Sequence, residues 1–150
     1  MVANILQDKE VIYNRELGLI QFNRRVLAQA LDNSVPLLER LRYVCIVSKN
    51  CDELFEVRVA RLLKWFKIKP NKVLPDGLTV AEALEQLRPQ MESLYIDLYH
   101  IYNDVLIPEL ATHGIQVLST EDWDKDLHKW AYNYFINYLK PVLTPIGIDP

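Results

Sequence analysis

Seven apolar residues between positions 84 and 105 follow one another in alternating steps of three and four, which predicts a long amphipathic helix. They are Leu84, Leu87, Met91, Leu94, Leu98, Ile101 and Val105. Thr79, followed three residues later by Glu82, has the capping-box form of a helix start, and Pro89 predicts a kink or a split further on. A stripe this long needs an apolar surface to cover it, and we expect the chain's own bundle to supply that surface rather than a second copy.

Two further helices are predicted before this one. The first spans about residues 15–31, and the second begins at Ser34 as its N-cap, with Pro36 in the first turn. A polar interruption at Asn50, with Glu53 three residues later, is a second start signal of capping-box form, which predicts a new helix. Half of the residues are hydrophobic and only 4 are glycine, which suits a mainly α fold. We predict an antiparallel bundle of three long helices that resembles a spectrin repeat.

The C-terminal part of the chain has a different pattern. Ile115–Leu118 is short, apolar and β-branched, which predicts a strand, and Ser119 then predicts the cap of a fourth helix over about residues 123–139. The apolar face of that helix is aromatic: Trp123, Leu127, Trp130, Tyr134 and Tyr138. The last ten residues resemble the approach to another strand, which cannot satisfy its own backbone groups alone. We predict a helical domain over residues 1–112 and the incomplete beginning of a second, α+β domain over residues 113–150, and we expect the sequence to be part of a longer chain.

Composition limits the compartment and the metal chemistry of the chain. No apolar run approaches the ~20 residues that cross a bilayer, and residues 1–5 show no basic segment followed by a long apolar one. We therefore expect no signal peptide and a cytoplasmic protein without a transmembrane segment. Cys45 and Cys51 are six residues apart, which favours two apolar helix positions over a disulfide or a metal pair. Because His100, His113 and His128 are isolated from cysteines and carboxylates at ligand spacing, no metal site is predicted.

One stretch is strongly basic although the formal net charge of the chain is -3. Its charged residues are all cations: Arg58, Arg61, Lys64, Lys67, Lys69 and Lys72. Such a block raises the local concentration of polyanions, although a solvated helix face is an equally simple explanation of it. The sequence has no glycine-rich phosphate loop and no recognisable arrangement of nucleophile and base, so no catalytic residue is predicted.

Five short motifs stand out by their order and spacing: Arg15-Glu16-Leu17, Phe22-Asn23-Arg24-Arg25-Val26-Leu27, Ser34-Val35-Pro36-Leu37-Leu38-Glu39-Arg40, Ser48-Lys49-Asn50-Cys51-Asp52-Glu53 and Val57-Arg58. Together they resemble the N-terminal domain of bacterial polyphosphate kinase. Gly18-Leu19 stand where the family usually has Ser-Trp, and Cys51 and Leu54 stand where it has Leu and Phe. The tail Leu143-Thr144-Pro145-Ile146 resembles the entry to that family's second domain, the head domain.

The resemblance implies a parent enzyme that reversibly transfers the terminal phosphate of ATP to polyphosphate, releasing ADP, with Mg²⁺ and through a phosphohistidine. In the family, that histidine and the phosphate-binding arginines lie in C-terminal domains that this sequence does not contain. The chain is therefore expected to be inert alone and to bind no Mg²⁺ itself. Its expected partners are ATP and polyphosphate, through the remaining domains of a parent that forms a homo-oligomer, and not nucleic acid.

The resemblance assigns one nucleotide-binding residue, Asn50. In the family, the Asn of Ser-x-Asn-x-Asp-Glu lies against the base, and a carboxamide offers a donor and an acceptor side by side, which suits the edge of adenine. The alternative role of Asn50 is the helix cap described above. The basic block supplies a candidate polyanion surface: Arg58, Arg61, Lys64, Lys67 and Lys69.

Two alternatives in other functional classes remain open. A stand-alone helical interaction module would use the apolar stripe of the third helix or the aromatic face of the fourth. A helical nucleic-acid binder would use the basic block and would bind with strong salt dependence. The acidic net charge of -3 argues against the nucleic-acid binder.

Overall fold

The computed structural model describes residues 13–147, which divide into two compact units with the boundary between Gly114 and Ile115. The predictions that concern residues 1–12 and 148–150 lie outside the described residues. Within residues 13–147, no helix combines the length and the apolar character that crossing a bilayer requires.

Within residues 13–114, the first unit contains five α-helices: α1, Arg15–Ala28; α2, Leu37–Glu53; α3, Ala60–Ile68; α4, Val80–His100; and α5, Ile107–Thr112. A π-helical segment, Leu54–Val59, joins α2 to α3 without a break, and a second one, Ile101–Leu106, joins α4 to α5. The described part of this unit therefore forms three long helical rods, which confirms the mainly α prediction. A 3₁₀ turn, Gln29–Leu31, ends the first rod.

Hydrogen bonds between the rods show their relative directions. Arg40 on the second rod bonds to the carbonyl of Ala30 near the end of the first, and Asn50 further along bonds to Asn23, nearer its start. The first and second rods therefore run antiparallel. The third rod runs parallel to the first, since Gln21 and Arg24 bond in the same order to Gln90 and Asp97 on α4.

The apolar stripe of the third rod lies inside the bundle, as the sequence predicts. Five of its seven residues are buried: Leu87, Met91, Leu94, Leu98 and Ile101. They pack in one cluster with Leu17, Ile20 and Leu27 of α1 and Val44, Val47 and Cys51 of α2. Burying each such side chain contributes about 1.5–3 kcal/mol, so this stripe is a main source of the stability of the bundle. It is covered by its own chain and not by a second copy.

The predicted start of the second helix is wrong. Ser34 donates from its backbone N–H and from its hydroxyl to Oδ1 of Asp32, at 2.9 and 2.7 Å, and caps no helix. Pro36 occupies the N-cap position and α2 begins at Leu37. Because a proline has no N–H to donate and favours an extended residue before it, the chain turns into the helix only after Pro36.

The predicted helix start at Asn50 is also wrong. Asn50 lies inside α2, and its side chain makes no capping contact with the backbone. An N-cap residue needs a non-helical backbone. Here the buried positions Val47, Cys51 and Leu54 continue the helical spacing across Asn50, so that breaking the helix there would remove three side chains from the core.

The start of the third helix is confirmed in detail. Oγ1 of Thr79 accepts from the backbone N–H of Glu82 at 3.2 Å, and Oε2 of Glu82 accepts from the backbone N–H of Thr79 at 2.8 Å. Pro89 does not split the helix, which is continuous from Val80 to His100. Pro89 and Glu85 both lie on the exposed face, where the carbonyl of Glu85 that loses its partner can hydrogen-bond to solvent.

In the second unit the predicted strand and α+β segment are wrong. Ile115–Leu118 has no regular structure, and no strand is present in residues 115–147. Ser119 caps only a 3₁₀ turn, Thr120–Asp122; helix α6, Lys125–Tyr134, begins after Asp124, which accepts from the N–H of Leu127 at 2.7 Å. An extended segment becomes a strand only when a neighbour pairs with its backbone groups, and the described residues offer none here.

Candidate functional site

A pocket of ≈ 240 Å³ lies between α1 and the rod that contains α2. One wall comes from α1: Arg15, Leu19, Phe22 and Asn23. The other wall comes from the second rod: Asn50, Glu53, Leu54, Val57 and Arg58. Within each set the residues follow the three- and four-residue spacing of a single helix face. The second wall continues from α2 into the π-helical segment Leu54–Val59. We call it the Asn50 pocket.

Two asparagines meet at the base of this pocket. Nδ2 of Asn50 donates to Oδ1 of Asn23 at 2.8 Å, and Nδ2 of Asn23 donates to the carbonyl of Leu19 at 3.0 Å. Asn23 is only 2% exposed, whereas Asn50 is half-buried. None of the described residues donates a hydrogen bond to Oδ1 of Asn50, and no buried polar side-chain atom among them lacks a partner. Among residues 13–147, the oxygen of the Asn50 carboxamide is therefore without a hydrogen-bond partner.

The remaining walls combine apolar surface with positive charge. Phe22 is 47% exposed and, with Leu19, gives the pocket an aromatic and aliphatic side. Arg15 and Arg58 line it as well, and neither guanidinium has a carboxylate within ion-pair distance among residues 13–147. Glu53 is exposed and is the one carboxylate among the described residues that line the pocket. Such a mixture suits a ligand with a flat ring and an anionic group.

The basic block does not form one surface. Arg58, Arg61, Lys64 and Lys67 follow one another at intervals of three residues, and each interval turns a helix by about 300°. After three intervals, Lys67 lies about half a turn away from Arg58, on roughly the opposite side of the rod. Arg58 faces the Asn50 pocket, whereas Lys64, Lys67 and Lys69 are exposed to solvent. The pattern of charge alone could not separate these two groups.

Arg61 is engaged inside the chain. Its Nη2 lies 3.3 Å from Oε1 of Glu16, whose side chain is buried, and its guanidinium lies 5.2 Å from the centre of the Trp65 ring. Nζ of Lys72 lies 3.5 Å from the same ring centre. Both cations thus have an aromatic contact, and Arg61 also compensates a buried carboxylate. We assign Arg61 a structural role in the fold.

The cysteines occupy different environments. Cys51 is fully buried, and that burial, with a smaller effect of the Asp52 charge, raises the pKa of its thiol to about 11. Cys45 is exposed, which contradicts its predicted position on the apolar face of α2. His100 is not isolated as predicted, because its Nδ1 lies 2.8 Å from Oδ2 of Asp104. Among residues 13–147, no three His, Cys, Asp or Glu side chains converge as metal ligands.

Together these observations define a helical domain with a pocket between two of its rods. Residues 12–118 match the family model described as the polyphosphate kinase N-terminal domain. The chain therefore belongs to the polyphosphate kinase N-terminal domain family, which confirms the resemblance and favours it over a stand-alone interaction module.

Individual polyphosphate kinases resemble the chain closely. The enzyme of Neisseria meningitidis serogroup B (strain MC58) is 46% identical over 145 residues, which are 97% of this chain and 21% of that protein. The enzyme of Paraburkholderia phytofirmans (strain PsJN) is 45% identical over 139 residues, or 93% of this chain and 20% of that protein. The chain thus spans about a fifth of the length of the curated relatives it matches.

A solved structure has the same fold. The crystal structure of polyphosphate kinase from Porphyromonas gingivalis superposes with a TM-score of 0.69 at 25% sequence identity, and it covers 89% of this chain and 19% of that one. The similarity is therefore to one part of that enzyme. It supports a helical architecture for nearly all of the chain described here.

Proposed function

We propose that this chain is the nucleotide-contacting N-terminal domain of a polyphosphate kinase. The parent enzyme would transfer the terminal phosphate of ATP to polyphosphate, reversibly and with Mg²⁺, through a phosphohistidine outside this chain. The chain alone would then be non-catalytic, and the parent a homo-oligomer. Family membership supports the assignment, and relatives of about five times this length leave room for the catalytic groups elsewhere.

The observation that carries the proposal is the carboxamide oxygen of Asn50 at the wall of the pocket, which accepts no hydrogen bond from residues 13–147. Adenine presents an amino group and ring nitrogens along its edge. Oδ1 of Asn50 is an acceptor for that amino group, while the second N–H of its amide is a donor for a ring nitrogen. Because Asn50 makes no capping contact and its oxygen bonds to none of the residues 13–147, that oxygen is available within this part of the chain for base binding.

The other residues of the pocket fit the rest of a nucleotide. Phe22 offers an exposed ring against which a base can stack, and Arg15 and Arg58 offer guanidinium groups for phosphate oxygens. The volume of ≈ 240 Å³ lies below the roughly 300–1,000 Å³ of complete small-molecule sites. We propose that the pocket holds the base side of ATP and that other parts of the parent enclose the phosphates.

The exposed lysines of the basic block are a separate proposal. Lys64 and Lys67 lie three residues apart on α3, and Lys69 follows at its end, so all three can approach one extended polyanion. We propose that they guide polyphosphate by charge alone, since nothing else at this surface selects an anion. Arg58 is excluded from this group because it lines the Asn50 pocket.

The proposed base contact is tested by replacing Asn50 with alanine in the complete protein encoded by the reading frame that contains this chain. Asn50→Ala should raise the KM for ATP in polyphosphate synthesis about five- to tenfold and change kcat little, because a lost binding contact affects ground state and transition state alike. Asn103→Ala removes an equally helical but exposed amide and should change neither constant. An unchanged KM in Asn50→Ala, at unchanged thermal stability, would refute the contact.

A further inference from the structure

We infer that Asn23 is a positioning residue: it fixes which atom of the Asn50 amide faces the pocket, and thereby makes the base site select a purine with an amino group at position 6. The inference rests on the proposed base contact of Asn50. It concerns a residue of α1 that touches neither the base nor the phosphates in the proposed arrangement. The observation behind the inference is a pair of linked hydrogen bonds, from Asn50 to Asn23 and from Asn23 to the carbonyl of Leu19, whose donors and acceptors are fixed.

The direction begins at the backbone. The carbonyl of Leu19 can only accept a hydrogen bond, so the group of Asn23 that lies 3.0 Å from it must be the NH₂ group. The oxygen of Asn23 then faces Asn50, and because that oxygen can only accept, Asn50 must present its own NH₂ group at 2.8 Å. A flip of either amide would place two donors or two acceptors against each other.

Burial makes this arrangement costly to reverse. Asn23 is 2% exposed, so water has little access to compensate a mismatched pair. An unsatisfied buried polar group costs about 1–3 kcal/mol, which corresponds to about a 5- to 150-fold bias toward the observed orientation. Asn50 therefore offers the pocket an oxygen and one remaining N–H, rather than its whole NH₂ group.

That orientation distinguishes purines by the group at position 6. Adenine carries an amino group there, which donates to Oδ1 of Asn50, whereas guanine carries a carbonyl, which would oppose that oxygen. A purine with only hydrogen at position 6 would leave Oδ1 without a partner. Asn50 alone, free to rotate its amide by 180°, would accept either purine, so the selectivity depends on Asn23.

The test compares three triphosphates in polyphosphate synthesis by the complete protein: ATP, purine riboside triphosphate, which has hydrogen at position 6, and GTP. In the wild type, kcat/KM for ATP should exceed that for purine riboside triphosphate about five- to tenfold. In Asn23→Leu, which has a similar volume but no polar group, this ratio should fall to about twofold or less, and the ratio of ATP to GTP should fall as well. A purely structural role would lower activity with all three substrates alike.

Two further variants make the outcome specific. Asn23→Asp keeps an acceptor toward Asn50, and its protonated form also keeps a donor toward the Leu19 carbonyl, so this variant should retain most of the wild-type ratio. Gln21→Leu removes the 2.9 Å hydrogen bond between Gln21 and Gln90 from the same helix, and should lower stability without changing the ratio.

Failure of this inference differs from failure of the proposed function. If Asn50→Ala raises the KM for ATP while Asn23→Leu keeps the wild-type ratios, the positioning role is wrong and the base contact stands. If the wild type itself does not distinguish ATP from purine riboside triphosphate, the positioning role is overturned without any variant. If Asn50→Ala leaves the KM for ATP unchanged, the base contact itself is wrong.

Discussion

Nη1 of Arg40 donates to both carboxylate oxygens of Glu109, at 2.8 and 2.9 Å, although the two residues are 69 positions apart in the chain. Nε of the same guanidinium donates to the carbonyl of Ala30 at 2.8 Å. The side chain of Arg40 is 4% exposed and that of Glu109 is 35% exposed. One buried cation thus connects the end of the first rod, the start of α2 and helix α5.

Arg40→Met should therefore destabilise the first unit by about 2–4 kcal/mol, because it leaves the carbonyl of Ala30 and the carboxylate of Glu109 without their partner. Denaturant unfolding of this chain measures the change. Arg42→Met is the matched control, since Arg42 is 70% exposed and lies 3.6 Å from Glu39; it should cost less than about 0.5 kcal/mol. Equal losses in both variants would contradict the structural role of Arg40.

The two thiols should differ in reactivity. Cys51 is buried and its pKa is raised to about 11, so it has almost no thiolate near pH 8, whereas Cys45 is exposed. We expect one of the 2 cysteines to react with a thiol reagent in the folded chain and both to react in denaturant. Cys45→Ser should abolish the native reaction. Rapid modification of Cys51 in the folded Cys45→Ser chain would show that the α2 face opens.

The capping box of α4 should make stability depend on pH. The backbone N–H of Thr79 and then its hydroxyl donate to Glu82 and lower the pKa of that carboxyl below its usual value. A lowered folded-state pKa contributes stability above the unfolded pKa of about 4.3, and this contribution is lost as the pH falls through the folded pKa.

Thermal unfolding from about pH 7 to pH 3 checks this sign. Glu82→Gln should lie below the wild type at neutral pH and approach it on acidification, because the neutral amide does not titrate. Glu85→Gln, an exposed carboxyl on the same helix, should instead follow the wild-type curve. If the melting temperatures of the wild type and Glu82→Gln change in parallel with pH, the charge of Glu82 does not cause the pH dependence of stability.

The proposed polyphosphate surface is tested by charge removal in the complete protein. Changing Lys64, Lys67 and Lys69 together to Gln should weaken polyphosphate binding and lower the slope of log affinity against log salt by about two to three, because fewer counterions are released. The control changes three exposed lysines elsewhere: Lys125, Lys129 and Lys140. If both triple variants weaken polyphosphate binding equally, the overall charge of the protein attracts polyphosphate, and this surface has no special role.

Two capping patterns with the same form had different outcomes. Thr79 and Glu82 form the predicted box, whereas Asn50 and Glu53 lie inside a continuous helix. Thr79 follows a turn that already ends the preceding segment. Asn50 follows Val47 and precedes Cys51, both buried, so core packing outweighs a cap worth about 1 kcal/mol. A local pattern predicts a helix start only where packing does not require the helix to continue.

The candidate site was predictable only in part. The motif pointed to Asn50, but it did not reveal the contact between Asn23 and Asn50. One signal for Asn23 was present, because it is an asparagine among the positions that α1 buries, such as Ile20 and Leu27. The direction of its hydrogen bonds depends on the Leu19 carbonyl and on a helix 27 residues away in sequence. The basic block was visible as a charge pattern, but its division between pocket and solvent was not.

The sequence by itself determined the features that depend on near neighbours: the helical periodicity, the capping box at Thr79, and the motifs that place the chain in its family. These features need only residues within about one or two turns, whose spacing is fixed by helix geometry. The tertiary structure decided that the helix continues through Asn50, that residues 115–118 form no strand, and that the amide of Asn50 donates to Asn23. Each of these depends on whether a distant backbone or side chain supplies a partner, and only the folded chain fixes which distant groups meet.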